Sequence, residues 1–163
     1  MKLKVRRLHP EAKLPEKNNE SDSGFDLFIL KDEDFIEIRL LEDIRHLSSE
    51  KVLEVFVLKM GQRKVFSTGV ALELPAGYGM LVKDRSSVAV KDGIHVLAGV
   101  IDNGYRGEIK ICLINLSDQD HIFSSGQKVA QGVLHPVPIC DVQEIEELSE
   151  TERGDKGFGS SGK

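Results

Sequence analysis

Apolar and polar residues alternate with a period of two along most of the chain. Residues 62–74 read QRKVFSTGVALEL, and residues 108–116 read EIKICLINL. Shorter apolar runs occupy 80–83, 94–101 and 128–139. Because successive side chains of a strand point to opposite faces of a sheet, this pattern predicts half-buried β-strands. The prolines near the end of the last run predict that this end lies at a sheet edge.

Short turn signals separate these apolar runs. They are Gly77, Gly79, Asp92-Gly93, Asn103-Gly104 and Ser125-Gly126. An Asn-Gly pair between two apolar runs is typical of a hairpin. Asn103-Gly104 therefore predicts that the run at 94–101 pairs with the strand at 108–116. Many short strands joined by regular turns predict an all-β fold of the sandwich, jelly-roll or barrel type.

Two segments depart from this pattern. Residues 31–64 are rich in charge, and 40–47 have the spacing of two helical turns, so we interpret 31–64 as an insertion into the β domain. Residues 141–152 are acidic and predict a last strand edge followed by a solvated connector. We therefore predict a β-rich domain over 1–145, then an acidic connector and a glycine-rich C-terminal lid over 146–163.

Composition narrows the class of protein. The chain has 163 residues, 40% hydrophobic and 30% charged, with a net charge of −5. This fits one domain and excludes a global basic field that would hold nucleic acid or an anionic membrane. No apolar run approaches the roughly 18 residues of a membrane span, and the N-terminal charges precede no apolar signal region. We expect a cytoplasmic protein.

Cysteine and histidine spacing indicates no metal centre. Cys112 and Cys140 form no CxxC pair, so we predict two buried reduced thiols rather than a disulfide or a zinc site. The five histidines show no HExxH spacing.

Several short segments carry residues that could bind a phosphorylated ligand. Arg85, Ser86 and Ser87 could cradle phosphate, or one of the serines could cap a helix. Asp102 at a strand end could orient water and Tyr105 could pack on a sugar, or the same turn could be purely structural. Asp26 could face a hydrated cation, and the Gln131 amide could donate to phosphate.

The C-terminal segment offers a second set of such groups. Arg153 has a planar donor fork, Phe158 has a face for base stacking, and the glycines near Ser160 expose backbone N–H groups. A solvated terminus without a ligand is the alternative, and composition leaves both open.

Taken in order, five segments resemble the five motifs of the homotrimeric dUTP pyrophosphatases (dUTPases). They are SGFDL at 23–27, DRSSVAV at 84–90, GVIDNGYRGE at 99–108, GQKVAQ at 126–131 and RGDKGFGSSG at 153–162. The resemblance runs from about residue 21 to residue 163. It implies an all-β, jelly-roll-like fold of the β-clip type with a flexible C-terminal tail. It also implies a homotrimer with sites shared between subunits, and Mg²⁺-dependent hydrolysis of dUTP to dUMP and pyrophosphate.

The resemblance also implies roles for individual residues. Asp102 would orient or activate the water that attacks the α-phosphorus, and Tyr105 would pack on the deoxyribose. Asp26 would face Mg²⁺ through water, while backbone at Gly99 and Val100 would read the uracil edge. The remaining positions would hold the phosphates or, for Phe158, stack on uracil: Arg85, Ser86, Ser87, Gln131, Arg153, Phe158, Gly159, Ser160 and Ser161.

The chain departs from the family pattern at three positions. Asp84 stands where the family often has Pro, Ser87 where a Gly often follows, and Gly104 where an acidic residue is usual. A dCTP deaminase, or a bifunctional deaminase and dUTPase, would share the fold, but Cys112 aligns with the catalytic Glu of that class. A non-enzymatic nucleotide-binding regulator is the third alternative. The expected partners are dUTP and other copies of the chain, with no nucleic acid and no membrane.

Overall fold

The computed structural model describes residues 1–44 and 47–156, so Phe158, Gly159, Ser160 and Ser161 lie outside the described residues. Strands account for most of the regular structure in these ranges. They are β1 Lys4–Arg7, β2 Gly24–Phe28, β3 Ile36–Ile44, β4 Leu47–Leu58, β5 Arg63–Glu73, β6 Tyr78–Asp84, β7 Ile94–Leu97, β8 Val100–Ile101, β9 Glu108–Asn115, β10 His121–Ser124 and β11 Lys128–Pro136. A short helix, α1, covers Ser86–Asp92.

The strands form three antiparallel sheets. Two are four-stranded, with the orders β1-β5-β9-β7 and β2-β11-β6-β8, and one is three-stranded, with the order β10-β4-β3. Every strand pairing in these sheets is antiparallel. The prediction of an all-β fold is confirmed, and its alternation is visible on β9, where Ile109, Ile111 and Leu113 are buried between less buried neighbours.

An aromatic cluster joins the sheets at the centre of the molecule. Phe66 on β5 lies 5.5 Å from Phe56 on β4 and 5.3 Å from Phe123 on β10, measured between ring centroids, in edge-to-face geometry. Aromatic pairs prefer this geometry because the positive ring edge meets the negative ring face. Leu58, Ile111 and further apolar residues complete this core.

Most of the described residues in the segment 31–64 lie in strands, and none of them lies in a helix. Residues 40–44 belong to β3, which pairs with β4 in a register that places Leu40 opposite Lys51 and Ile44 opposite Leu47. The predicted helical turns at 40–47 are therefore wrong. The helical spacing of the residues does not determine the structure here, because the backbone groups of β3 hydrogen-bond to β4. β4 in turn pairs with β10 on its other side.

The apolar run 94–101 is divided into two strands that belong to different sheets. Ala98 (φ 61°) and Gly99 (φ 99°) have left-handed backbone and turn the chain between β7 and β8. A side chain at Gly99 would place its Cβ 2.6 Å from the carbonyl oxygen of Val82. The Asn103-Gly104 pair forms a turn, and the first part of the run, β7, pairs antiparallel with β9, the strand after the turn, as predicted. The residues directly before the turn form β8 instead, which pairs with β6, so the two strands that flank the turn do not form a hairpin.

Three further expectations need correction. β11 ends at Pro136 and residues 137–156 contain no strand, so the predicted strand edge within 141–152 is wrong. Cys112 is half-buried and Cys140 is exposed, because Cys140 lies beyond the last strand, so they are not two buried thiols. Arg85, not a serine, is the N-cap of α1, and no side chain caps it.

No helix within residues 1–44 and 47–156 combines the length and apolar character that crossing a bilayer requires.

Candidate active site

A chain of charged side chains lies where β2, β11 and β6 meet, and we call it the Arg85 cluster (Glu16, Asp26, Arg85 and Lys128). The Arg85 Nε donates to Asp26 Oδ1 at 2.9 Å, and Lys128 Nζ lies 2.9 Å from Asp26 Oδ2. Lys128 Nζ also lies 2.7 Å from Glu16 Oε1. The Asp26 side chain is only 15% exposed, so its charge depends on these two cations.

Gln131 lies beside the Arg85 cluster on β11. It pairs with Asp26 on one side and with Lys83 on the other. Its amide Nε2 donates to the carbonyl oxygen of Asp84 at 2.8 Å. The structure thus brings together Asp26, Arg85 and Gln131, which belong to three separate sequence motifs.

The two serines that follow Arg85 occupy the first turn of α1 and are exposed. Buried Val88 anchors the helix against the core, and Gly93 ends it in left-handed backbone (φ 66°). Both serines are therefore accessible to solvent directly after Arg85 in the chain.

Asp84 directs its carboxylate to the neighbouring strand β7. Its Oδ1 accepts a hydrogen bond from the Val96 backbone N–H at 2.6 Å, and its Oδ2 lies 2.7 Å from His95 Nδ1. The residue that replaces the usual Pro therefore joins β6 to β7 immediately before Arg85. Both carboxylate oxygens already have partners.

A second group of predicted residues forms a shallow pocket of about 200 Å³. Its lining residues are Val100, Ile101, Asp102, Tyr105, Glu108 and Lys110. Sequence reasoning missed Glu108 and Lys110. The sequence feature that could have indicated these two residues is the alternation of β9. It directs both side chains away from the core, toward the same face as Cys112.

The Tyr105 ring folds back over Gly107. Its hydroxyl donates to the Glu108 carbonyl oxygen at 3.0 Å. A Cβ on Gly107 would contact the Tyr105 hydroxyl and would lie 2.6 Å from its Cζ. Gly107 is therefore required for this ring position, and Tyr105 remains 44% exposed at the pocket wall.

Asp102 and Asn103 have different roles in their turn. The Asn103 amide donates to the carbonyl oxygens of Pro75 and Tyr78, at 2.7 and 2.8 Å, and fixes the turn on the β5–β6 connection. The Asp102 carboxylate is exposed and accepts no hydrogen bond from any residue in the described ranges. It is free to hold a water molecule over the pocket.

The pocket and the Arg85 cluster lie toward opposite ends of β6. Ile101 pairs with Met80, whereas Asp84 pairs with Ala130 beside the cluster. Four residues of strand separate the two pairings, about 13 Å at the usual rise per residue. Within one chain, Asp102 and Arg85 therefore do not face a common point.

Arg153 is exposed and lies in a local turn. Its Nε donates to the Lys156 carbonyl oxygen at 3.1 Å. Among the described residues, it makes no hydrogen bond to the pocket or to the Arg85 cluster.

The described residues contain no group of three or more His, Cys, Asp or Glu side chains that could hold a metal ion. Both oxygens of Asp26 contact cationic side chains, but a carboxylate has about four acceptor positions and can also accept from water. This donor set fits a Mg²⁺ ion that keeps its waters and is bound mainly through ligand phosphates.

The antiparallel sheets define an all-β fold that carries two sets of polar groups, and comparison with known proteins identifies its family. The dUTPase family model matches residues 46–162. The chain is 42% identical over 164 residues to the deoxyuridine 5'-triphosphate nucleotidohydrolase of Hydrogenobaculum sp. (strain Y04AAS1), with 99% of both chains covered. The corresponding enzyme of Nautilia profundicola is 39% identical, with 100% of both covered. The chain belongs to the dUTPase family.

Solved structures show the same relationship. The dUTPase of Staphylococcus bacteriophage 80alpha with dUpNHpp is 28% identical, with a TM-score of 0.76 over 99% of this chain and 98% of that one. A mutant dUTPase from phage phi11 of S. aureus, described with a structural Mg(II) ion, is 25% identical, with a TM-score of 0.69 over 92% of this chain and 100% of that one.

Proposed function

We propose that the protein hydrolyses dUTP to dUMP and pyrophosphate. The observation that carries the proposal is the exposed, unengaged carboxylate of Asp102 beside Tyr105 in the pocket. Membership in the dUTPase family and the binding of dUpNHpp by the 80alpha enzyme support it.

Asp102 orients the attacking water and accepts its proton. The water oxygen forms a bond to the α-phosphorus, and the bond between that phosphorus and the bridging oxygen to the β-phosphate breaks. Pyrophosphate leaves with the electron pair of that bond. A carboxylate within hydrogen-bond reach of the nucleophile is the geometry that general-base catalysis requires.

The pocket selects the nucleoside. The Tyr105 ring packs on the deoxyribose and leaves no room for a 2′-hydroxyl, while backbone groups at Gly99 and Val100 bind the uracil edge. Gly99 has no side chain to cover its backbone, and its φ of 99° is readily adopted only by glycine.

The phosphate chain is bound by the residues next to α1. Arg85 supplies a guanidinium fork, Ser86 and Ser87 supply hydroxyls, and Gln131 supplies an amide. Arg153 and the segment 158–161 close over the outer phosphates and the base, with Phe158 stacking on uracil. A closing lid of this kind excludes water and completes the site.

Magnesium accompanies the triphosphate. When bound, Mg²⁺ neutralises charge on the phosphate oxygens. Asp26 faces the ion through water from its place in the Arg85 cluster. The structural Mg(II) ion of the phi11 relative supports a divalent cation in this family.

The active assembly is a homotrimer in the cytoplasm, with sites shared between subunits. Two observations support sharing. The first is that the pocket and the Arg85 cluster are separated along β6. The second is that three apolar residues of the C-terminal arm (residues 137–156, after β11) are at least 85% exposed in a single chain: Ile139, Val142 and Leu148. Apolar side chains on an extended arm are stabilised by burial against another chain.

The test is incubation of the protein with Mg²⁺ and, separately, dUTP, dCTP, dTTP and UTP. We expect pyrophosphate from dUTP and little from the others. Ammonia from dCTP would instead establish a deaminase, and binding of dUTP without turnover would establish a regulator.

A further inference from the structure

We propose that Lys128, together with Glu16, positions the Arg85 guanidinium for the phosphates of the substrate. This inference rests on the proposed function and deepens it. Lys128 makes no contact with the pocket, so we assign it as a positioning residue that acts through Asp26.

The geometry forms a continuous path from Glu16 to Arg85. Lys128 contacts Glu16 at 2.7 Å and Asp26 at 2.9 Å, and the second oxygen of Asp26 accepts from Arg85 Nε at 2.9 Å. The Lys128 carbonyl oxygen also accepts from a terminal nitrogen of Arg85 at 3.4 Å. Arg85 is thus held through its Nε and one terminal nitrogen, which leaves its remaining guanidinium N–H groups for a phosphate.

The backbone fixes both acids in this path. Glu16 and Asp26 exchange backbone hydrogen bonds of 3.3 and 2.7 Å. The Lys128 ammonium also lies 5.6 Å from the centroid of the Phe28 ring. Hydrogen bonds to Glu16 and then to Asp26 raise the pKa of Lys128 above its ordinary value, so it stays cationic at all physiological pH.

Lys128 also balances charge at a site for a polyanion. Glu16 and Asp26 contribute two negative charges, and Lys128 and Arg85 contribute two positive charges. Without Lys128 the cluster carries a net negative charge, and the second oxygen of Asp26 loses the contact that fixes the orientation of the carboxylate under Arg85. Both changes weaken the binding of phosphate.

Lys31 offers a matched control. It also contacts two carboxylates, those of Glu54 and Glu11, and its side chain is 36% exposed against 32% for Lys128. Neither of its partners contacts Arg85. If Lys128 served only as a structural ion pair, replacing Lys128 and replacing Lys31 should have the same effect on nucleotide binding.

The experiment first confirms that the wild-type protein releases pyrophosphate from dUTP; failure here would reject the proposed function. KM and kcat for dUTP, and the Kd values of dUpNHpp and dUMP with Mg²⁺, are then measured for Lys128→Met, Lys128→Arg and Lys31→Met. For Lys128→Met we expect KM and the dUpNHpp Kd to rise about tenfold, equivalent to about 1.4 kcal/mol. We expect kcat to change less than about twofold, since the water-orienting group is untouched.

The Kd of dUMP should rise less than that of dUpNHpp, because dUMP carries one phosphate group instead of three. Lys128→Arg should recover most of the affinity, and Lys31→Met should match the wild type. Equal weakening of dUMP and dUpNHpp, or an unchanged dUpNHpp Kd in Lys128→Met, would overturn the inference while leaving the proposed function intact. The same defect in Lys31→Met would also overturn it.

Discussion

Replacing Asp84 by alanine removes the side chain that joins β6 to β7 next to Arg85. The Val96 backbone N–H then loses its acceptor, and Val96 itself is only 7% exposed. A buried donor without a partner costs about 1–3 kcal/mol. The half-exposed bond to His95 contributes about 0.5–1 kcal/mol more. The two contributions add to about 1.5–4 kcal/mol, and we expect Asp84→Ala to lower the free energy of unfolding by a value near the middle of that range, about 2–3 kcal/mol.

Differential scanning calorimetry at equal protein concentration measures this effect. For a chain of this size each kcal/mol shifts Tm by about 2–4 °C, so the expected decrease is about 4–12 °C. Asp84→Asn is the matched control, because its amide oxygen still accepts from Val96 and its amide nitrogen can donate to a neutral His95. It should lose less than half as much stability. A Tm for Asp84→Ala within about 1 °C of the wild type would refute the bracing role.

The same pair of variants tests whether Asp84 repels the substrate. Because both carboxylate oxygens are engaged by β7, we expect Asp84→Asn to leave KM for dUTP unchanged or slightly raised. A severalfold decrease in KM would show that the Asp84 charge opposes phosphate binding.

Other predictions address catalysis, the tail and pH. Asp102→Asn should leave the affinity for dUpNHpp, measured by calorimetry, largely intact and abolish turnover, measured by pyrophosphate release. Near-normal turnover would remove Asp102 from the mechanism. Deleting residues 153–163 should reduce activity strongly without changing Tm. Residues 153–156 are exposed and contact only their own turn, so their loss should not affect the β domain. A large decrease in Tm would contradict the lid role. The pKa of Lys64 is raised, because burial, which opposes the charge, is outweighed by hydrogen bonds to Asp34 and Asp32. The stability difference between wild type and Lys64→Met should therefore be constant from neutral pH up to the ordinary value of 10.5 and vanish as pH rises further. A difference that vanished near neutral pH would contradict this.

The fold class follows from the order of residues alone, because side-chain alternation is a local property of each strand. β9 shows this most plainly, with its buried Ile109, Ile111 and Leu113 at every second position. The five motif segments likewise indicate the family, since their order and residue types are read directly from the chain. The family and fold predictions are confirmed, whereas the site roles of Asp102 and Arg85 stay predictions.

Two departures from prediction, at 40–44 and at β8, share one physical cause: pairing partners far away in the chain override local preference. Residues 40–44 form a strand because β4 supplies hydrogen-bond partners, and β8 pairs with β6 rather than with the strand after the Asn-Gly turn. Local spacing carries no information about either partner.

The meeting of the charged groups is a property of the folded chain and not of its local sequence. Glu16, Asp26, Arg85 and Lys128 are separated by up to 112 positions, yet β2, β11 and β6 bring them within hydrogen-bond distance. Folding also makes Asp84, a departure from the second motif, the brace of β7. An ion pair depends on distances of a few ångströms, and those distances exist only once strands from remote parts of the chain have paired.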